Sequence, residues 1–242
     1  MFLNTLVKSE KICYSFYYVK RRGFYMTEQV KQLLEDYFSA CANLYGIIPL
    51  WKFLEIYNSQ NEPVTEDEFK EFVENFDFQG KFYDIIGEDE VFEEEKHTPL
   101  MMYDLTSEYL YCDGSFDEFI ELRNFQTMFQ YYVPKKEKLL RYKDDYFYEK
   151  SLEFIDLRAF LRNLPYLTKE HADNIAEDVH LNLCMMKPDE DNWEYVVSWA
   201  VEQGFKDKEK DNLETFLRLC FILNDHVRKH WFCGHTASEV NF

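Results

Sequence analysis

The sequence predicts a mainly α protein with a small antiparallel β element. Its N-terminal part reads as a helix-rich, winged-helix-like module packed on a C-terminal helical bundle. Three observations lead there. Apolar residues recur at i, i+3 and i+4 through most of the chain, the period of amphipathic helices. Only 7 Gly and 6 Pro occur in 242 residues, too few for the many turns of an all-β fold. Hydrophobic residues make up 46% and aromatics 19%, which excludes a disordered chain despite the acidic balance.

Residues 1–25 form a basic, aromatic N-terminal extension. Lys8, Lys11, Lys20, Arg21 and Arg22 stand against Glu10 alone, a net of +4 in a chain at −19, so residues 26–242 carry −23. Two expectations follow. The segment precedes a natural start at Met26, or it is an arm that docks on the acidic body. Ile12–Lys20 is aromatic enough to pack or to form a strand.

Residues 26–97 read as three helices and a β-hairpin. Thr27 starts the first helix, Val30, Leu33, Leu34, Tyr37, Phe38, Cys41, Leu44 and Tyr45 form its stripe, and Gly46 is its left-handed cap. Pro49 suits the first turn of a second helix, with Trp51, Leu54 and Tyr57 inward. Thr65 and Glu68 make a capping box for a third, with Phe69, Phe72, Val73 and Phe76 inward. Residues 81–95 then read as a hairpin turning near Gly87, Glu88 and Asp89.

This is the element order of a winged helix, but the charge is wrong for DNA. A recognition helix in the major groove needs basic or amide side chains. Here the third helix carries Glu66, Asp67, Glu68, Glu71 and Glu74 against Lys70. The wing carries Glu88, Asp89, Glu90, Glu93, Glu94 and Glu95. These carboxylates repel phosphate and anionic membranes and attract cations and basic proteins. Apart from Glu68, which the cap uses, they are the candidate partner-binding surface.

Residues 98–148 read as a mixed β/α connection. Positions 100–113 alternate weakly and add strands to the hairpin, and Ser115–Glu118 resembles a second capping box before a short helix to about Gln126. Residues 149–242 read as a helical bundle with short connections, hence antiparallel neighbours. Leu152, Ile155 and Phe160 mark its first helix, ending near Asn163. Thr168 caps the second, with Ala172, Ile175, Ala176, Val179 and Leu183 inward. Trp193, Val196, Val197 and Ala200 mark the third, ending at Gly204. The fourth runs from about Lys208 past Leu223. No Gly/Ser/Pro linker divides the chain, so a shared core is expected.

The tail, HVRKHWFCGHTASEVNF, supports two readings. His226, His230, Cys233 and His235 offer N and S ligands, with the two first histidines at helical i, i+4 spacing, as zinc would need. The spacing matches no common zinc pattern. A structural clasp accounts for more residues. Gly234 would cap the long helix, with the cations of 226–230 meeting its negative end. Thr236 and Glu239 would cap a last short turn, and Trp231 would lock into the core.

The motif Asn224-Asp225, Trp231, Gly234-His235-Thr236 and Glu239 resembles a segment of uncharacterised helical bacterial proteins, mostly Gram-positive, some carrying SEC-C zinc motifs. The run NLYGIIPLWKFLEIYNSQN is similar to another segment of theirs. No SEC-C motif occurs here, and the proline those proteins have after the threonine is missing. The resemblance implies a bacterial cytoplasmic origin and a structural tail, with no activity to carry over.

Six cysteines without a CxxC pair imply free thiols in a reducing compartment. No long apolar run or signal peptide is recognisable, which fits a cytoplasmic protein away from membranes. P-loop, G-x-G-x-x-G, G-x-S-x-G and H-E-x-x-H motifs are missing. His180, on an apolar stripe, reads as a core histidine. The expectation is a non-catalytic interaction or regulatory module with a basic protein partner. The alternatives are a metal-binding protein or metal enzyme using the tail, and a nucleic-acid mimic that blocks a basic protein.

Overall fold

In the computed structural model, residues 26–87, 91, 98–111, 114–144, 146–188 and 193–240 are described. The Thr27 hydroxyl accepts the Val30 amide and opens helix α1 (Glu28–Tyr45). Leu34, Tyr37, Phe38, Cys41, Leu44 and Tyr45 run buried along it. Gly46 ends it at φ 70°, and a Cβ there would stand 3.0 Å from the His230 ring. Glycine is needed at this position both for the backbone and for the approach of the tail.

Strand β1 (Ile47–Pro49) follows at once and leads into α2 (Leu50–Gln60). Pro49 is the N-cap of α2, not a first-turn residue, so the inward stripe is Leu50, Phe53, Leu54, Ile56 and Tyr57. Trp51, expected inward, is 47% exposed for that reason. Helix α3 (Glu66–Glu74) starts from the Thr65–Glu68 capping box, both bonds of which form. Phe69 and Val73 turn inward, and the Phe38 ring lies against Phe53, Phe69, Phe72, Phe76, Phe78 and Tyr83.

Of the hairpin expected over 81–95, the first arm is a strand, and the second arm falls mostly outside the described residues. Strand β2 (Tyr83–Ile86) pairs with β3 (Asp104–Ser107), and β3 also pairs with β1, all antiparallel in the order β1-β3-β2. Leu105 faces both Ile48 and Ile85 in register and is fully buried. β1 and β2 pair both edges of β3, and the charge that the polar-looking DLTS buries is met by Arg123, whose guanidinium lies 2.6 Å from the Asp104 carboxylate. Residues 88–90 and 92–97 lie outside the described residues, as does the basic segment 1–25.

Helix α4 (Asp117–Gln126) has Phe116 at its N-cap. The expected second capping box does not form. The Ser115 hydroxyl instead accepts from the Asp117 amide two residues on, a short local turn. The short α5 (Lys136–Leu139) and the 3-10 turn Leu140–Lys143 pack against α1, where Asn43 donates to the carbonyls of Tyr142 and Asp144.

The C-terminal part contains α6 (Leu152–Arg162), α7 (Lys169–Met185), α8 (Trp193–Glu202) and α9 (Lys210–Asn224). Ser151 caps α6, which sets Phe154, Leu157 and Leu161 inward. Leu152 and Ile155, which mark the helix in the sequence, are 74% and 41% exposed. The α7 stripe of Ala172, Ile175, Ala176, Val179 and Leu183 is buried throughout. Buried apolar residues fall into three clusters, not one shared core: one around Phe38, one inside the bundle, and a small one holding Ile47, Leu110, Phe119, Leu122 and Trp231. Among the described residues no helix is long and apolar enough to cross a membrane.

Candidate functional site

Helix α9 stops at Asn224, with Asp225 as its cap, so Gly234 does not end it. His226 and His230 therefore do not share one helical face. The chain passes through a 3-10 turn, His230–Phe232, then Cys233 and Gly234 at φ 51° and 82°, and closes with α10 (Ala237–Val240).

The four metal-ligand candidates separate. His226 contacts the Ile222 carbonyl through Nδ1 at 2.9 Å. His230 is buried with both nitrogens engaged, Nε2 with the Asn43 carbonyl at 2.9 Å and Nδ1 with the Tyr109 hydroxyl at 2.6 Å. The Cys233 thiol donates to the Gln126 carbonyl, and His235 Nδ1 stands 3.4 Å from Glu239. Among the described residues no three His, Cys, Asp or Glu side chains are grouped as a metal ion requires. Burial pushes the His230 pKa down to about 4 and the Cys233 thiol up to about 12, so both stay neutral.

What these residues do is join the two parts of the chain. The Trp231 indole donates to the Met185 carbonyl at 2.7 Å, and the Lys229 amine donates to that of Leu183 at 2.6 Å. Of the tail's cations Lys229 thus meets a negative helix end, but it belongs to α7 and not to α9. Lys229 is 1% exposed, and desolvation pushes its pKa down to about 8. A Cβ at Gly234 would lie 2.9 Å from the Tyr45 ring. Thr236 and Glu239 form a reciprocal cap, and Arg228 binds Glu239 at 2.5 Å. Gln126 escapes sequence reasoning. It is buried in α4 and donates to the carbonyls of Tyr45 and His230, both at 2.8 Å. No local pattern marks it, because its partners lie 81 and 104 positions away.

The acidic candidates behave differently. Glu66, Asp67, Glu71 and Glu74 all stand exposed on α3. Glu66 pairs with Lys70 at 2.5 Å. Glu88, Asp89, Glu90, Glu93, Glu94 and Glu95 lie outside the described residues. Between α1 and α3 runs an open groove of about 550 Å³. Met26, Phe72 and Phe76 supply its apolar lining, and Glu28, Glu35, Glu68, Glu71 and Asp77 its carboxylates. Glu28 and Glu35 are paired with Lys31 and Lys81, and Thr65 holds Glu68 below the usual carboxylate range. Glu71 makes no ion pair among the described residues.

One thiol–imidazole pair invites a catalytic reading. Cys184 Sγ and His180 Nδ1 are 3.5 Å apart on successive turns of α7. Burial pushes His180 down to about 4 and Cys184 up to about 12. A nucleophilic pair needs the thiolate, and this site disfavours it.

Compared with protein-family models, with characterised proteins and with solved structures, the chain gives no match.

Proposed function

We propose that the protein is a non-catalytic interaction module whose N-terminal, winged-helix-like unit receives a basic, partly apolar segment of a partner protein in the α1–α3 groove. The order α1-β1-α2-α3-β2-β3 with β3 central supports the winged-helix reading. In that arrangement α3 takes the place of the recognition helix, which in DNA readers carries donors for base edges. Here it carries carboxylates, which favour a cationic protein segment through steering and charge complementarity.

The observation that carries the reading is the groove itself, where Met26, Phe72 and Phe76 lie among carboxylates that include Glu71. A nucleic-acid mimic needs only the charge. The exposed edges of Met26, Phe72 and Phe76 favour a peptide that also buries apolar side chains. A labelled amphipathic peptide with Lys/Arg on one face and Phe/Leu on the other tests this by fluorescence anisotropy. Binding should weaken with salt and be lost with Glu71→Lys, while a Lys-only peptide binds more weakly. Equal binding of both peptides, or binding insensitive to Glu71→Lys, overturns it. Co-purification eluted by rising salt then identifies the natural partner.

A further inference from the structure

Residues 1–25, which lie outside the described residues, join the chain at the α1–α3 groove, because Met26 is part of its lining. That lining holds the carboxylates of Glu28, Glu35, Glu68, Glu71 and Asp77 against the single amine of Lys31. Ion pairs and the α3 cap already use Glu28, Glu35 and Glu68. Glu71 and Asp77 make no ion pair among the described residues, and Asp77 accepts the Gln79 amide at 3.0 Å. Met26, Phe72 and Phe76 are only half-buried.

The segment that arrives there has the complementary chemistry. It carries a net charge of +4. Its last nine residues read YYVKRRGFY, with Lys20, Arg21 and Arg22 set between Tyr17, Tyr18 and Val19 on one side and Phe24 and Tyr25 on the other. The tether is short. Four residue steps lead from Arg22 to Met26, at most about 14 Å of extended chain. The α1 wall from Glu28 to Glu35 is about 10 Å long at the helical rise. The cations therefore cannot travel far from the groove, and their reach covers the length of its α1 wall.

We propose that residues 17–25 occupy the α1–α3 groove in the free protein, and that a partner's basic, partly apolar segment binds by displacing them. The inference rests on the groove reading above and adds its regulation. Lys20, Arg21 and Arg22 lie against Glu71 and Asp77, and the flanking aromatic side chains cover Phe72 and Phe76. So short a tether sets an effective concentration on the order of millimolar, so a contact too weak to form between separate molecules closes the groove. A groove open about one-tenth of the time weakens a partner's apparent affinity about tenfold.

The test uses the full chain and two readouts. Trypsin cuts after lysine and arginine, so its rate after Lys20, Arg21 and Arg22, followed by mass spectrometry, reads how much of the time the segment is free. Glu71→Lys should raise that rate at least about tenfold. The same change of charge at Glu194, exposed on α8, should leave it unchanged. An equal rate in Glu71→Lys and the unaltered chain overturns the proposal. So does protection that fades on dilution, which puts the segment on a second copy instead. The labelled amphipathic peptide reads the competition. With Lys20→Ala, Arg21→Ala and Arg22→Ala combined, the chain should bind that peptide about tenfold more tightly. Equal affinity, with binding still lost in Glu71→Lys, overturns the displacement and leaves the groove reading standing. Peptide binding that ignores Glu71→Lys, beside cleavage that responds to it, overturns the groove as a partner site while the segment keeps its place there.

Discussion

The outer face of α3 and the C-terminal tail are both dense in residues that carry chemistry, and folding treats them in opposite ways. On α3 the carboxylates of Asp67, Glu71 and Glu74 are exposed and make no ion pair among the described residues, although the charge of Lys70 lies near Asp67 and Glu74. In the tail nearly every polar group is spent inside the protein. His230 holds the backbone of α1 and Tyr109, Lys229 and Trp231 hold the end of α7, and Thr236 and Glu239 hold each other. A cluster of reactive side chains therefore points to function only where the fold leaves it uncommitted. The tail's histidines look more like a site in the sequence, and α3 is the better candidate in the structure.

Acid should separate the two regions most sharply. His180 and His230 have native pKa values of about 4, below the ordinary 6.5. As pH falls below 6.5 the unfolded chain takes up protons that the native state refuses, so stability drops until about pH 4. The limiting cost is on the order of 3 kcal/mol for each histidine. Urea unfolding between pH 7 and pH 4.5 measures it, and a flat profile would show that these rings are not held neutral.

Gly234→Ala comes next. The new Cβ meets the Tyr45 ring at 2.9 Å on a backbone at φ +82°, and a loss of about 3 kcal/mol is expected in the urea midpoint. An unchanged midpoint would mean that the tail is not clamped on α1. Gln126→Leu should cost about 2 kcal/mol, because two buried carbonyls lose their donor. If instead it stabilises, the junction is less dry than the geometry states. The smallest effect on stability should come from Glu71→Lys, whose side chain is exposed, with thermal unfolding unmoved while peptide binding is lost. A large fall in stability there would return α3 to a structural role and break the contrast.

Much of the helical plan was legible because its signals are local. Thr27, Thr65 and Thr168 start their helices, and each hydroxyl accepts from a backbone amide three residues on. The end of α9 was misread. Gly234 looks like a helix cap, but it lies ten positions past Asn224, and the intervening stretch is drawn away by contacts to α1, α4 and α7. Strand β1 was missed because three residues between two helices show no period. The site was legible only in part. The exposed carboxylates of α3 follow from the apolar period, while the groove needs neighbours from distant stretches.

The sequence by itself determined the mainly helical class, the starts of α1, α3 and α7, and the net charge of −19. These follow from caps, periodicity and composition, which act over a few residues or on the whole chain at once. Only the tertiary structure decided that β3 is the central strand and that the tail joins α1 to α7. Those outcomes depend on which buried carbonyls and carboxylates find partners across long stretches of chain, and no short window of sequence contains both members of such a pair.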